Sequence, residues 1–245
     1  MTNVYATSAV TAGAFSPASG TQGFYRVAYA SSLFSGLVGY WPFDGNANDR
    51  SRNANNGTTH GVTATTNRVG AADSAYFFDG SGTYVGIADS SSLGVTNMTL
   101  AFWFRLDSSS TAREVVNKMG AEGTRSLSFG SEYADSDRTI RFRICTDGSL
   151  GTLTDCPSKT AITAGTWYHF AGTYDGSEMC VYINGALEQS VPKSGAIFNS
   201  AEEVKVGRYG YYSGWVFHGA IDNVIIWNRA LSSNEVWHVY SRESL

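Results

Sequence analysis

Alternation of apolar and polar residues is the strongest pattern in this chain. Between Met98 and Leu106 every second residue is large and apolar, and Thr, Ala, Trp and Arg occupy the positions between them. Thr139 to Cys145 repeats the pattern, with isoleucine and phenylalanine on one face and Arg141 and Arg143 on the other. A period of two is typical of β-strands with one buried face. These segments therefore predict sheets that cover a common core.

Turn signals and a helix start complete the predicted elements. Asp175-Gly176 and Asn184-Gly185 are tight-turn sequences that frame a strand pair over 166–174 and 178–184. Ser232 with Glu235 three residues later forms a capping box, which predicts a short C-terminal helix. Short strands with little helix predict an all-β fold, a two-sheet antiparallel sandwich.

Residues 1–36 differ from residues 37–245 in composition. They contain one charged residue, Arg26, and several aromatic residues, which are too numerous for an ordinary disordered linker. We predict an N-terminal arm over 1–36 that docks on a larger assembly or on another copy of the chain. The alternatives are that it adds edge strands to its own domain or forms a tail. Residues 37–245 are predicted to form one domain.

Charge and hydropathy narrow the classes of partner. A net charge of -4 gives no electrostatic reason to bind nucleic acid or anionic membranes. No segment reaches the roughly 18 apolar residues of a membrane span, so we predict no membrane insertion. Residues 1–5 lack the features of a secretory signal. Either a signal has been removed or the protein leaves the cell by another route.

The chain has three cysteines. Cys145 and Cys156 flank a glycine-containing segment, and we predict a disulfide between them, with two reduced thiols as the alternative. Cys180 shares a strand face with Tyr182 and is predicted to be half-buried. No Cys-x-x-Cys sequence indicates a zinc site.

Two groups of residues are candidates for ligand binding. Aromatic residues are concentrated in a glycine-flanked segment over 208–217, namely Tyr209, Tyr211, Tyr212 and Trp215. Such rings can stack on sugars, although they can also pack against the sheet edge or the arm. The second group, Trp103, Arg105, Arg141 and Arg143, could share a face that receives an acidic glycan. We favour a solvated face with one packing tryptophan for this second group.

Several short phrases occur in fixed order along the chain. They are YWPFDG at 40–45, FDGSGTYV at 78–85, WYHFAGTYDG at 167–176, VYING at 181–185, GAIDNV at 219–224 and WNRALS at 227–232. Together they resemble the laminin G-like domains of the concanavalin A-like jelly-roll superfamily, the bacterial type related to pentraxins, over roughly residues 37–242. The resemblance implies a jelly roll that binds or adheres.

The resemblance also implies a calcium ion at the edge of the sandwich. The matching positions are Asp49 and Asp222, with Asp79 and Asn56 as weaker candidates. Calcium prefers six to eight oxygen ligands, and an unpaired Asp222 inside an apolar strand would be costly to bury. The alternative is that Asp222 accepts hydrogen bonds from a turn or pairs with an arginine.

The chain lacks the acid spacing of the superfamily's retaining glycoside hydrolases. Those enzymes carry a Glu-x-Asp-x-x-Glu pattern, and the nearest segment here, 132–137, has different spacing. His169 matches a structural position of the family. We therefore predict no enzymatic activity.

These observations predict a non-catalytic module that binds a glycan or a cell-surface protein. We expect it on an extracellular, virion or appendage surface. The alternative is a structural subunit or decoration protein of a virion or extracellular filament, assembled through residues 1–36.

Overall fold

The computed structural model describes residues 33–107, 114–121, 126–210 and 214–242. It confirms the predicted all-β fold, a sandwich of two antiparallel sheets with a short C-terminal helix. The strands are β1 Leu37–Trp41, β2 Gly57–His60, β3 Thr63–Thr65, β4 Ala75–Asp79, β5 Tyr84–Ile87, β6 Met98–Leu106, β7 Glu114–Met119, β8 Leu127–Ala134, β9 Thr139–Ile144, β10 Thr154–Pro157, β11 Trp167–Tyr174, β12 Glu178–Ile183, β13 Ala186–Pro192, β14 Val204–Val206 and β15 His218–Trp227. The helix α1 is Ser233–Tyr240, and short 3-10 turns lie at Ser91–Leu93 and Leu150–Thr152.

Each sheet combines strands that are consecutive in sequence with strands from distant parts of the chain. Sheet A runs β13–β12–β11–β6–β15–β4–β3, and β1 also pairs with β15. Sheet B runs β10–β9–β8–β7–β14–β5–β2. The glycine turns predicted at Asp175-Gly176 and Asn184-Gly185 connect β11 to β12 and β12 to β13, which are neighbours in sheet A.

The main core lies between the sheets. The apolar face of β6 is fully buried there, and Phe102 packs on Phe170 of β11 with ring centroids 4.9 Å apart. The Phe142 ring of sheet B lies 6.5 Å from the Phe170 ring, measured between centroids. Gly172 permits this packing, because a Cβ atom at that position would lie 2.4 Å from the Phe142 ring. The alternation read from the sequence therefore identifies the buried face correctly.

A second, smaller core lies on the outer face of sheet A beneath α1. The predicted capping box is present: Ser232 accepts a hydrogen bond from Glu235 N, and the Glu235 carboxylate accepts one from Ser232 N. Leu33 is buried in this core, and its carbonyl accepts a hydrogen bond of 2.7 Å from Trp227 Nε1. The remainder of the predicted arm, 1–32, lies outside the described residues. No helix in the described ranges has the length and apolar character needed to cross a membrane.

β15 changes its pairing partner half-way along its length. Its first half pairs with β4 and its second half with β1, while β6 follows its opposite edge. The β6 pairing is irregular between Asp222 and Ile225, and Asn223 adopts a positive φ of 52°. Asn223 also accepts a 2.9 Å hydrogen bond from the Tyr40 hydroxyl, which fixes the irregularity against β1. Bulges of this kind redirect the neighbouring side chain, here Asp222.

The predicted disulfide is wrong in this structure. Cys145 and Cys156 are both free and buried, and they belong to different apolar clusters. The register of β9 and β10 pairs Cys156 with Phe142, three positions before Cys145. Cys180 is half-buried on the Tyr182 face, as expected.

Candidate functional site

A groove on the outer face of sheet A has the clearest features of a ligand site. It has a volume of about 420 Å³ and is bounded by the loop at Arg68 and Val69 and by the end of α1. Its aromatic lining consists of Trp103, Trp167 and Tyr240. This volume falls within the usual range for small-molecule sites.

Strand register explains why these side chains meet. Trp103 of β6 is opposite His169 of β11, and Arg105 is opposite Trp167. Alternate residues share a face, so Trp103, Arg105 and Trp167 all project outward. The Arg105 guanidinium lies over the Trp167 ring, 5.6 Å from its centroid. Arg105 Nε is also paired with Asp107 Oδ1 at 3.0 Å, so one edge of the aromatic surface has an ion pair as its polar neighbour.

Tyr240 extends the aromatic surface from the helix side. Its ring is stacked on Trp103 with centroids 5.5 Å apart and an interplanar angle of 26°. Ser241 and Arg242, which follow the helix, also line the groove and supply polar groups. The capped helix thus determines where the third ring lies.

Beneath this surface, Asp222 is buried and paired with an arginine. Arg68 Nη1 donates to Asp222 Oδ2 at 3.1 Å, and the two side chains are 8% and 1% exposed. Burial raises the pKa of Asp222 to about 7, and the Arg68 charge opposes that shift. The Arg68 guanidinium carbon also lies 4.4 Å from the centroid of the Trp103 ring.

His169 is buried, which agrees with the structural position that the family resemblance implies. It packs edge-on against Trp103, with ring centroids 5.3 Å apart. Burial, with a smaller contribution from Arg68, lowers the pKa of His169 to about 3. Its Nδ1 atom has no hydrogen-bond partner within the described part of the chain. A neutral imidazole shielded in this way supports the floor of the groove.

In the described part of the aromatic segment over 208–217, Tyr209 is buried and Trp215 is half-buried. Tyr209 is only 2% exposed, and its hydroxyl donates to the Gly120 carbonyl at 3.1 Å. Trp215 packs on the Tyr209 ring, with centroids 5.3 Å apart. The prediction for Tyr209 is wrong because its ring fills a cluster with Met119. Tyr211 and Tyr212 lie outside the described residues.

The second predicted group is divided between the two sheets. Trp103 and Arg105 belong to sheet A, whereas Arg141 and Arg143 belong to β9 of sheet B. The four residues therefore do not share a glycan-binding face. The sequence could not show this, because it does not reveal which strands share a sheet.

Arg143 instead joins three carboxylates on the outer face of sheet B. Its Nη1 lies 3.1 Å from Glu114 Oε1 and 2.9 Å from Glu132 Oε2. Asp155 accepts a further bond from Arg143 Nε at 3.2 Å. Glu114 is completely buried, and burial raises its pKa to about 8. Both glutamates are held by the same guanidinium, which fits a structural ion cluster better than a pair of catalytic acids.

Asp49 lies in the loop after β1, where its carboxylate is already saturated. Oδ1 accepts from Tyr40 N at 2.9 Å and Ser51 N at 2.7 Å. Oδ2 accepts from Ser51 Oγ at 2.7 Å and Asn55 N at 2.9 Å. A carboxylate has about four lone-pair positions. Asn56 is also engaged, because its Oδ1 accepts from Asp49 N at 3.0 Å.

The other two predicted calcium ligands lie elsewhere. Asp79 closes the β4–β5 turn by accepting from Ser81 and Thr83, and it is opposite His218 in the sheet. Asp222 is four residues beyond His218 along β15, which places it about 13 Å from the Asp79 end of the strand pair. Within the described ranges, no three His, Cys, Asp or Glu side chains group closely enough to hold one metal ion. The four residues therefore do not fit the calcium site that the resemblance implies.

Sequence comparison agrees with this architecture. A family model described as the concanavalin A-like lectin/glucanases superfamily matches residues 79–237. The chain belongs to the concanavalin A-like lectin/glucanases superfamily. The laminin G-like resemblance is thereby confirmed. A comparison with curated proteins gives no match.

Solved structures share the superfamily fold at low sequence identity. Domain 4 of AbnA, a GH43 extracellular arabinanase from Geobacillus stearothermophilus, has a TM-score of 0.67 and 18% identity, over 84% of this chain and 98% of that one. The binding domain of Paraclostridial Mosquitocidal Protein 1 has a TM-score of 0.67 and 19% identity, over 85% of this chain. This chain spans 52% of the length of that binding domain. A heptameric SAP-like pentraxin from Limulus polyphemus has a TM-score of 0.50 and 20% identity, over 62% of this chain and 72% of that one.

Trp167 and Tyr240 were missed as site residues in this superfamily member. Trp167 has the parity of His169 in β11, so alternation places it on the outer face. Tyr240 falls on the buried side of a capped helix. Their convergence with Trp103 depends on the order β11–β6–β15 and on the docking of α1, which no local pattern gives.

Proposed function

We propose that this chain is a non-catalytic module that binds oligosaccharides through the groove lined by Trp103, Trp167 and Tyr240. The observation that carries the proposal is this group of partly exposed rings around one groove of about 420 Å³. Tyrosine and tryptophan combine an apolar ring with a polar group. This combination suits the apolar faces and hydroxyl groups of sugars.

Polar residues at the rim would fix the orientation of a sugar. Arg105 projects beside Trp167, and Ser241 and Arg242 line the groove. Binding pockets commonly combine an apolar floor with a few placed polar groups. The groove has both components.

The structural relatives support a binding role. The arabinanase domain was solved in complex with arabinotriose, and the mosquitocidal protein domain is named as a binding domain. Another relative is the botulinum neurotoxin serotype D binding domain, at 14% identity. These likenesses establish the fold, and they make a short oligosaccharide the first ligand class to test. A protein surface is the second class.

We place the module on an extracellular surface, with residues 1–32 of the predicted arm as its attachment segment. Display on a virion or appendage belongs to the same proposal. Because Leu33 is part of the core beneath α1, a truncated chain has to retain Leu33 to Gly36. Light scattering of the full chain and of a chain starting at Leu33 tests the attachment role. If both chains have the same number of subunits per particle, self-assembly through the arm is contradicted.

The decisive experiment is a glycan panel followed by calorimetry. The full chain is tested against neutral and acidic oligosaccharides, including arabinan fragments, and each hit is titrated into Trp167→Ala. Loss of a stacking ring is expected to weaken binding about 10-fold or more. Trp167 is preferable to Trp103, because Trp103 also supports Arg68 and Tyr240.

Phe34→Ala is the matched control. Phe34 is 61% exposed and does not line the groove, so its removal is expected to leave affinity unchanged. If no glycan binds, or if both variants lose affinity equally, the groove is not the binding site.

A further inference from the structure

Arg68 links four parts of the protein at one point. Its Nη1 donates to Asp222 of β15 at 3.1 Å, and its Nη2 donates to the Arg242 carbonyl after α1 at 2.8 Å. Its guanidinium carbon lies 4.4 Å from the centroid of the Trp103 ring of β6. A loop between β3 and β4 supplies the side chain. Segments distant in sequence are thus held by one cation.

The loop that carries Arg68 is ordered by its own hydrogen bonds. Asn67 Oδ1 accepts from Val69 N at 3.1 Å and from Ala71 N at 3.0 Å. Asn67 N donates to the Ala71 carbonyl at 3.0 Å, which closes the loop. Gly70 makes the turn with a φ of 85°. The guanidinium is therefore presented from a fixed backbone.

Asp222 requires a positive charge beside it. Its side chain is 1% exposed, and an unpaired buried carboxylate is strongly destabilising. The laminin G-like resemblance implies calcium as the source of that charge. Yet an Arg68 nitrogen already contacts the carboxylate, and both oxygens of Asp49 accept hydrogen bonds from Tyr40 of β1 and from its own loop.

We propose that the Arg68 guanidinium takes the place of calcium in this chain. It neutralises Asp222 and joins the β3–β4 loop, sheet A and the end of α1, as a bound metal joins remote ligands. A planar guanidinium suits this position, because it can hydrogen-bond in its plane while its face lies on an aromatic ring. The consequence is a fold that needs no calcium. This inference does not depend on the proposed function, because every readout below is stability or metal binding.

The first test measures the thermal midpoint, Tm, of the full chain with EDTA and with millimolar calcium chloride. We expect the same Tm in both, and no heat of calcium binding in calorimetry. A chelator-induced fall in Tm that disappears in Asp222→Asn would overturn the proposal. So would stoichiometric calcium binding that Asp222→Asn abolishes.

The second test is a double-mutant cycle. Arg68→Ala leaves the Asp222 carboxylate buried without its partner, and we expect Tm to fall by roughly 10 °C. Arg68→Ala combined with Asp222→Asn removes both charges, so its Tm is expected to lie above that of Arg68→Ala. If the Tm losses of Arg68→Ala and of Asp222→Asn alone simply add in the double variant, the pair is not coupled and the proposal fails.

An exposed ion pair provides the matched control. Arg50 Nη2 lies 3.1 Å from Asp44 Oδ2, and these side chains are 52% and 44% exposed. Exposed pairs contribute little to stability. Arg50→Ala is therefore expected to change Tm by about 2 °C or less. An equal fall in Tm for Arg50→Ala and Arg68→Ala would remove the special role of Arg68.

Discussion

The buried Glu114 is expected to make the stability of this protein decrease as pH rises. Burial raises the pKa of Glu114 from 4.5 to about 8, against the opposing charge of Arg143, while Glu132 and Asp155 add to the increase. The unfolded chain releases this proton near pH 4.5, and the folded chain keeps it until about pH 8. Between these values the folded state binds more protons, so the free energy of unfolding falls with pH.

The size of the effect follows from the pKa difference. Each pH unit within this window removes about 1.4 kcal/mol. Glu114→Gln keeps the shape of the protonated acid but cannot ionise. At pH 5 the variant and the natural chain should be similarly stable. At pH 8 the variant should be more stable by about 3 kcal/mol.

Urea unfolding followed by tryptophan fluorescence at pH 5, 6, 7 and 8 measures this difference. Glu178→Gln serves as the control, because Glu178 is exposed on β12, away from the Glu114 cluster in sheet B. The control should follow the pH dependence of the natural chain. A Glu114→Gln difference that stays constant from pH 5 to pH 8 would refute the reasoning.

Three further predictions concern the floor of the groove, the helix cap and the main core. His169 is neutral when folded because burial lowers its pKa to about 3, so its contribution to stability is present above pH 6.5 and is lost as pH falls. His169→Gln should therefore lose less stability than the natural chain between pH 6.5 and pH 4.5, as measured by urea unfolding. Ser232→Ala removes the helix cap and should cost about 1 kcal/mol in the same assay. Gly172→Ala places a Cβ atom 2.4 Å from the Phe142 ring and should lower Tm strongly in thermal melts. Gly151→Ala is its control, because the nearest atom to that added Cβ is 3.8 Å away.

The fold could be predicted because its signals are local. Alternation along β6 and β9 identifies the buried faces, and the two glycine turns mark strand ends that become neighbours in sheet A. The capping box at Ser232 marks the start of α1. Each of these features depends on residues close in sequence, which interact in the same way in most folds.

The site was harder to predict because it depends on strand order. Asp222 was correctly singled out as a carboxylate that needs a partner, but its arginine is 154 residues away in sequence. Glu114 meets Glu132 only through the register of β7 and β8. Tyr209 belongs to an aromatic segment of the kind that binds ligands, yet it is buried because its ring packs in a neighbouring apolar cluster. The sequence shows which side chains can ionise or stack, but it does not show which side chains become neighbours in the fold.

The pairing of β15 has a consequence for the order in which the chain can acquire structure during synthesis. β15 lies between β6 on one edge and β4 and β1 on the other, so sheet A lacks a central strand until residues 218–227 exist. Contacts between such distant segments are slow to form. While the ribosome still holds these residues, the earlier strands have exposed apolar faces and unpaired edges, which favour aggregation. The yield of folded protein should therefore depend on the delay between synthesis of the earlier strands and synthesis of β15. The rate of synthesis and the binding of a chaperone during this delay are then practical means of changing the yield.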